Sequence, residues 1–217
     1  MFTKKDFEPS VSLQSSLAYW KQQLAGVSPL LSLPTNRSRR TDRAYRGSSQ
    51  SFVLSRKLTT GLSSLSRQEG VTLFTTLLAA FDTLLYRYTS TEDIVVGSPV
   101  VNQNYSSIDL TFLNALVLRT DLSGNPSFQQ LLERVREVIL SAQNHQNVPL
   151  SVLITELQLE VDPSYSPLFQ VTFTFNETVF LQDIELSSLA TSPWGIEDNK
   201  AKVDLALLIE QNSNGLR

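Results

Sequence analysis

The only histidine of this 217-residue chain, His145, lies in the stretch HQNVPL at residues 145–150. Imidazole is the usual general base near neutral pH, so any mechanism that needs such a base must use this residue. Ser141 lies four residues earlier, on the same face of a helix, and the two could form a nucleophile and base pair. No oxyanion-hole donor accompanies them, and such pairs arise often by chance. The pattern favours a structural His145 that ends its helix before Pro149, with Gln146 closing unpaired carbonyls.

The motifs of several other chemistries are missing from the sequence. The chain contains no cysteine, which excludes disulfides, thiolate metal sites and cysteine nucleophiles. No G-x-S-x-G elbow, G-x-x-x-x-G-K-[ST] phosphate loop or G-x-G-x-x-G fingerprint occurs, and no D-x-D-x-D loop offers metal ligands. The residues alone therefore predict a domain with no metal site and no recognisable active site.

Composition predicts a globular protein. Hydrophobic residues make up 41% and charged residues 18%, enough apolar material for a core, and the net charge of −3 gives no general attraction to nucleic acid. Residues 37–46 carry five arginines, and a solvated connecting segment is favoured over a nucleic-acid patch because the stretch has no repeated aromatic interleaving and the whole chain is acidic. We find neither a signal peptide nor an apolar stretch that could span a membrane, and we expect a cytoplasmic location with no membrane partner.

Hydrophobic periodicity predicts helices that alternate with apolar strands. Thr72 and Pro126 mark helix starts, and the β-branched run DIVVGSPVV is typical of a strand covered on both faces. The fold class is α/β or α+β, with a mixed sheet covered by helices. The predicted helices are 11–25, 56–69, 72–89, 127–145 and 150–157, and the predicted strands are 50–55, 93–101, 113–120, 168–176, 184–189 and 202–210.

Six stretches, in order and at the right spacing, resemble the C-terminal half of a condensation domain from a non-ribosomal peptide synthetase. LAYWKQQLAG with LLSLPTNRSRR resembles the family's helix and the linker after it. The others are TLFTTLLAAFDTLLYRYTSTEDIVVGSPVVNQN, LTFLNALVLRTDLSGNPSFQQLLERVREVIL (similar to G-F-F-V-N-T-x-x-x-R), HQNVPLSVLITELQLE (H-Q-D-x-P-F-E), VDPSYSPLFQVTFTFN (R-D-x-S-x-x-P-L-F-Q) and AKVDLALLIEQ (A-K-x-D-L). The resemblance covers roughly residues 17–211.

The resemblance implies a fold like that of chloramphenicol acetyltransferase, with two lobes around a tunnel. Carrier proteins would deliver acyl or aminoacyl thioesters on phosphopantetheine arms, and an amine would attack the thioester to give an amide. It implies no directly bound cofactor. It also implies partners of three kinds: carrier proteins, an N-terminal lobe and an adenylation domain.

The family places its H-H-x-x-x-D-G motif in the N-terminal lobe, and this chain has neither a His-His pair nor an Asp-Gly dipeptide. We therefore expect residues 1–217 to be a partial condensation domain, inactive alone, without the N-terminal lobe and the last helices. Residues 11–49 would be its first helix and linker, and residues 50–217 its core of sheet and helices. The alternatives are a non-catalytic, degenerate lobe that docks carrier proteins or neighbouring domains and, with less support, an acyltransferase of the same fold that uses coenzyme A.

The resemblance also suggests site residues. Asn114 falls on the asparagine of the G-F-F-V-N-T motif and would line the tunnel, although a strand asparagine could equally satisfy neighbouring backbone groups. Ser98, Asn102 and Asn104 could form a tunnel wall or simply make turns. The motif residues with structural roles are His145, Gln146, Pro149, Asp162 and Pro167. The chain departs from the family at Asn147, Leu150 and Val161, where Asp, Phe and Arg are usual.

Overall fold

The computed structural model describes residues 12–36, 38–39, 46–100, 114–159, 162–177, 201–212 and 215–217. Within these ranges helices and strands alternate along the first part of the chain, and strands dominate its end. The helices are α1 (Leu13–Gln23), α2 (Arg56–Gln68), α3 (Leu73–Thr89), α4 (Phe128–Asn144) and α5 (Leu150–Glu156). The strands are β1 (Asp93–Val100), β2 (Asn114–Asp121), β3 (Val171–Glu177), β4 (Leu205–Asn212) and β5 (Gly215–Leu216).

The described strands form one sheet in the order β2-β1-β3-β4-β5. The pairs β1–β2 and β4–β5 are antiparallel, whereas β1–β3 and β3–β4 are parallel. Parallel neighbours need a crossover connection, and the segment from β1 to β3 supplies one that includes α4 and α5. The predicted mixed sheet covered by helices is confirmed.

Helix starts follow local side-chain chemistry. Thr72 caps α3 by accepting a hydrogen bond from the backbone N–H of Thr75, as its position before the apolar repeat predicts. Ser127 and Gln130 form a reciprocal capping box at the start of α4. These caps satisfy N–H groups that a helix end would otherwise leave unpaired, which explains why these two boundaries were predicted within a residue or so.

One face of the sheet packs on helices. The ring of Phe173 in β3 contacts Phe74 and Phe81 of α3, with ring centroids 5.2 and 5.9 Å apart. Strand β1 is buried from Ile94 to Ser98, as predicted for a strand covered on both faces. Because side chains alternate along a strand, Ile94, Val96 and Ser98 share the face of Phe173.

The opposite face of the sheet is only half covered. Over β1 and β2 it meets the end of α1, α5 and the segment before β3, but over β3 and β4 no described helix or segment packs on it. This open face is formed by Thr172, Thr174 and Asn176 of β3 and Ala206, Leu208 and Glu210 of β4. Leu208 is 52% exposed. Parallel strands are usually buried on both faces, so the open face is unusual for this kind of sheet.

Two predicted strands differ from the structure or fall outside it. Residues 50–55 are not a strand, because the segment makes one described ladder-like bond, from Leu54 N–H to the Leu216 carbonyl oxygen at 2.8 Å. The adjacent Phe52 and Val53 are exposed at 60% and 68%, so the apolar residues of this segment do not mark a buried face. The predicted strand 184–189 lies outside the described residues. The short β5 was not predicted.

None of the helices described here combines the length and hydropathy that crossing a membrane requires. The cytoplasmic location stays a prediction.

Candidate functional site

The residues predicted to line a tunnel fall at one end of the β1–β2 hairpin. Asn114 is the first residue of β2 and pairs with Val100, the last residue of β1, while Ser98 pairs with Leu116. Ser98 is only 7% exposed and lies on the face that packs on α3. Asn102 and Asn104 lie outside the described residues. The structure thus brings Asn114 and Ser98 to the same end of the hairpin, and tunnel lining stays a prediction for all four residues.

Gly97, which the sequence analysis did not select, marks where β1 meets the P-L-F-Q motif. A Cβ atom at this position would lie 2.3–2.5 Å from three ring carbons of Phe169, far inside van der Waals contact. Gly97 also pairs with Thr172 at the start of β3. A glycine inside an apolar strand often signals such a close approach, and that signal was available in the sequence.

Gln170 is a second residue that the sequence analysis missed. It is 2% exposed, and its side-chain amide binds three backbone groups. Oε1 accepts a hydrogen bond from Leu31 N–H at 2.7 Å, and Nε2 donates to the carbonyl oxygens of Pro29 and Ser166 at 3.0 and 2.8 Å. The Gln170 amide therefore fixes the linker after α1 against the segment that leads into β3. We name linker residues 29–36, 38 and 39 the strap.

The strap is fastened again further along. Arg39 forms a bidentate ion pair with Asp204, just before β4. The backbone N–H of Asp204 also donates to the Gln170 carbonyl oxygen at 2.8 Å. Gln170 and Asp204 thus connect the strap to the beginnings of two parallel strands, close to the open face.

Asp162 and Pro167 belong to the segment before β3. The Asp162 carboxylate oxygen Oδ1 accepts a hydrogen bond from Ser164 N–H at 2.7 Å, the geometry of a local turn. Pro167 lines a cavity of about 220 Å³ beside the strap. Two other cavity residues, Gln158 and Leu168, have left-handed backbone angles, with φ of 50° and 69°. Such angles are costly for residues other than glycine, and the surrounding packing holds them in place.

His145 joins α4 to α1. It is the C-cap residue of α4, its Nδ1 lies 3.2 Å from Ser16 Oγ, and its ring stacks on Tyr19 with centroids 4.1 Å apart. Its carbonyl oxygen accepts a hydrogen bond from Trp20 Nε1 at 2.9 Å. Burial lowers the pKa of His145 below its ordinary value, so the ring is neutral at pH 7 and brings no cation to the helix end.

The possible nucleophile and base pair of Ser141 and His145 is not formed. His145 Nδ1 lies 3.2 Å from Ser16 Oγ instead. Burial raises the pKa of Tyr19, and the nearby Ser141 side chain opposes that rise. Beside His145, Gln146 is half-buried in the turn after α4, and Pro149 is the N-cap residue of α5. The structure gives the positions of these motif residues. The structural roles that the family motif assigns to them stay predictions.

Arg119 ties the end of α1 to the hairpin. Its guanidinium forms a bidentate ion pair with Asp93, both N···O distances being 2.8 Å. It also donates to the carbonyl oxygens of Gln23 and Ala25 at 2.8 and 2.9 Å. The Asp93 hydrogen bond raises the already high pKa of Arg119, so the guanidinium stays charged. Four of its five N–H donors are committed to the protein, so Arg119 anchors α1 to the hairpin.

The described residues contain no cluster of three histidine, aspartate or glutamate side chains that could hold a metal ion. At the end of the β1–β2 hairpin the predicted side chains are an alcohol and an amide, which can hydrogen-bond a substrate but cannot take a proton from an amine at neutral pH.

Comparison with known proteins shows the family to which the chain is similar. A family model described as Condensation domain matches residues 2–217. One protein of the linear gramicidin synthase of Brevibacillus parabrevis is 45% identical over 212 residues, which are 94% of this chain and 4% of that protein. Malpinin synthetase of Mortierella alpina is 35% identical over 207 residues, which are 94% of this chain and 3% of that protein. The chain therefore spans a small part of the length of these relatives.

Solved structures show the same fold. The X-domain from teicoplanin biosynthesis superposes with a TM-score of 0.83 at 26% identity, covering 96% of this chain and 49% of that one. The first condensation domain of the calcium-dependent antibiotic synthetase, solved with a substrate analogue, gives a TM-score of 0.71 at 19% identity and covers 94% and 45%. The predicted fold class, like that of chloramphenicol acetyltransferase, is confirmed. This chain belongs to the condensation-domain family of non-ribosomal peptide synthetases.

Proposed function

We propose that these residues form the C-terminal lobe of an amide-forming condensation domain and have no amide-forming activity by themselves. The complete domain would join acyl or aminoacyl groups carried as thioesters on the phosphopantetheine arms of carrier proteins. An N-terminal lobe would supply the catalytic histidine, and this lobe would form one wall of the tunnel. Carrier proteins and an adenylation domain would be its other partners, and no cofactor would bind to the lobe directly.

The open face of the sheet is the observation that carries this proposal. The parallel pair β3–β4 exposes Leu208 at 52% and leaves Thr172 and Thr174 only half-buried. A parallel pair with one uncovered face is expected to have a partner. An N-terminal lobe placed there would complete the sheet packing and create a cleft beside the strap and the β1–β2 hairpin.

The share of solved chains that the match covers supports the same proposal. This chain covers 49% and 45% of the two solved chains. The one histidine of the sequence is engaged between α1 and α4, which fits a catalytic histidine supplied by another lobe. Both facts fit half of a two-lobe enzyme.

The direct test incubates the purified 217-residue chain with two carrier proteins, one loaded with an acyl donor and the other with an aminoacyl acceptor. We expect no amide product by mass spectrometry, since no described side chain is placed to deprotonate the amine. A complete condensation domain from the linear gramicidin synthase relative serves as the positive control. Heat-sensitive amide formation by the chain alone would contradict the proposal.

A non-catalytic lobe that docks carrier proteins or neighbouring domains is the second candidate. It is favoured by the use of Arg119 and His145 in internal contacts, which commits the histidine and this arginine to the fold. Two measurements separate the candidates: isothermal titration of the chain with a loaded carrier protein, and amide formation by an exchange protein, in which these residues replace the matching segment of a relative's condensation domain. If the chain binds the carrier protein and the exchange protein forms no amide, the chain is a docking lobe. If the exchange protein forms amide, the chain is an enzyme lobe.

A further inference from the structure

Asp82 is a carboxyl group buried inside the packing of α3 on the sheet. Its residue is 1% exposed, and Phe81 and Leu85 beside it on the helix are buried as well. Thr120 of β2, itself 1% exposed, faces it. Aspartate is seldom fully buried unless it is paired, so a site of this kind needs an explanation.

The Asp82 carboxyl has no hydrogen-bond partner among the described residues. Neither of its oxygens meets a described donor in hydrogen-bonding geometry, and the Thr120 hydroxyl, although close enough to favour the charged form slightly, has no described partner either. An ionised carboxylate without a donor costs several kcal/mol in such surroundings, and the neutral acid costs much less. The geometry alone therefore favours the protonated acid.

Charged groups on the packed elements do not offset this cost. By strand alternation, Asp93, Arg119 and Asp121 lie on the other face of the sheet from Thr120. The remaining described charges on α2, α3 and α4 and directly after α2 are Arg56, Lys57, Arg67, Glu69, Arg87, Glu133, Arg134, Arg136 and Glu137. Within the described part of the chain, the pKa of the Asp82 carboxyl is raised by burial and lowered by Thr120, and none of these charged groups shifts it.

We propose that Asp82 is a proton-linked switch on the packing of α3 against the sheet. In the folded chain the carboxyl is a neutral acid, and its ionisation places an unpaired charge between α3 and β2. That charge weakens the contact between the helix and the strand that begins at Asn114. The proposal does not depend on the function proposed above, because it rests on the described core alone.

The direction of the pH effect follows from the two states of the chain. Burial raises the pKa of Asp82 to about 7 from an ordinary value of 3.8, which the unfolded chain retains. Between these values the folded chain keeps a proton that the unfolded chain has lost, so folding takes up a proton. The unfolding constant therefore rises with pH, by up to tenfold per pH unit, and this dependence ends once the folded chain is ionised too.

The test compares urea unfolding of the 217-residue chain and its Asp82→Asn variant between pH 5 and pH 9. We expect the variant to gain stability relative to the unmutated chain as pH rises to about 7, and then to keep a constant advantage. Asp121→Asn is the matched control. Its carboxyl is exposed and its pKa is lowered by hydrogen bonds from Ser123, so its difference from the unmutated chain stays constant above about pH 5.

A second measurement uses only the unmutated chain and therefore does not depend on whether a variant folds. The Cγ resonance of Asp82, read by NMR on the unmutated chain labelled with carbon-13 aspartate, follows the protonation of this carboxyl directly. A midpoint near pH 7, together with the pH-dependent gain of Asp82→Asn, supports the switch. An Asp82 carboxyl already ionised at pH 5, or a stability difference that does not change between pH 5 and pH 7, overturns it.

Discussion

His145 is of a residue type that is often catalytic, but here it connects the end of α4 to α1. Its ring contacts Ser16 and Tyr19, and its carbonyl oxygen receives Trp20 Nε1, so both parts of one residue hold α1. The sequence placed this histidine at a helix end but could not show a partner 129 residues away. Only the fold brings α1 and the end of α4 together.

Replacing His145 by Gln should lower the free energy of unfolding by about 1 kcal/mol at pH 8, through loss of the ring stack on Tyr19. Because burial lowers the pKa of His145, the unfolded chain binds the proton first as pH falls below about 6.5. The stability that His145 contributes is therefore present above that pH and decreases below it. Urea unfolding at pH 8 and pH 5.5 measures both effects.

The exposed Asn144, changed to Ala, is the control for His145→Gln and should have little effect at either pH. A His145→Gln variant as stable as the unmutated chain at pH 8 would show that the contacts of the His145 ring with α1 add nothing to the free energy of unfolding.

At the scale of elements, the sequence predicted what short-range chemistry determines. The cap at Thr72 and the apolar repeat of α3 lie within a few turns of one another, and both were found. The contacts of Gly97 and Gln170 were missed because their partners are remote: Leu31 and Gln170 are 139 residues apart. The predicted strand at 50–55 failed for the same reason, since alternation cannot reveal whether a neighbouring strand is present to pair with it.

The strap depends on Gln170, which gives a prediction at this scale. Gln170→Leu removes one buried and two partly buried hydrogen bonds and leaves the N–H of Leu31 and the carbonyl oxygen of Pro29 without their Gln170 partner. We expect a loss of about 2–4 kcal/mol in the free energy of unfolding, measured by urea denaturation.

Gln170→Glu is the matched variant, because it keeps an acceptor for Leu31 but turns an oxygen toward the carbonyls of Pro29 and Ser166. It should also destabilise the chain, and more strongly at pH 8 than at pH 5, where the new carboxyl can hold a proton and donate. If Gln170→Leu were neutral, the amide would not be what fastens the strap.

The whole molecule is asymmetric, with one sheet face covered by helices and the other open over β3 and β4. Leu208 and Ile209 are neighbours on β4 that point to opposite faces, and Leu208 is 52% exposed whereas Ile209 is 8% exposed. Both residues are apolar, so the sequence around them does not show which of the two faces the core and which faces water.

In the isolated chain, Leu208→Ser should change the free energy of unfolding by about 0.5 kcal/mol or less, because its side chain is largely in water. Ile209→Ser, the matched control, should cost about 3 kcal/mol because it empties a buried site. In a complete two-lobe domain, by contrast, Leu208→Ser should lower the stability of the domain, since the N-terminal lobe would cover this residue. If Leu208→Ser changes the melting temperature equally little in the isolated chain and in the complete domain, the open face has no partner.

The central claim is that these residues are one lobe of an amide-forming enzyme. The most direct test is a chimera in which these residues replace the matching segment of a condensation domain in the linear gramicidin synthase relative. The chain and that relative are 45% identical over 212 residues. The single measurement is the rate of amide formation between two loaded carrier proteins by the folded exchange protein. We predict a measurable rate that disappears when the catalytic histidine of the N-terminal lobe is replaced. A folded exchange protein that binds both carrier proteins and forms no amide would contradict the claim.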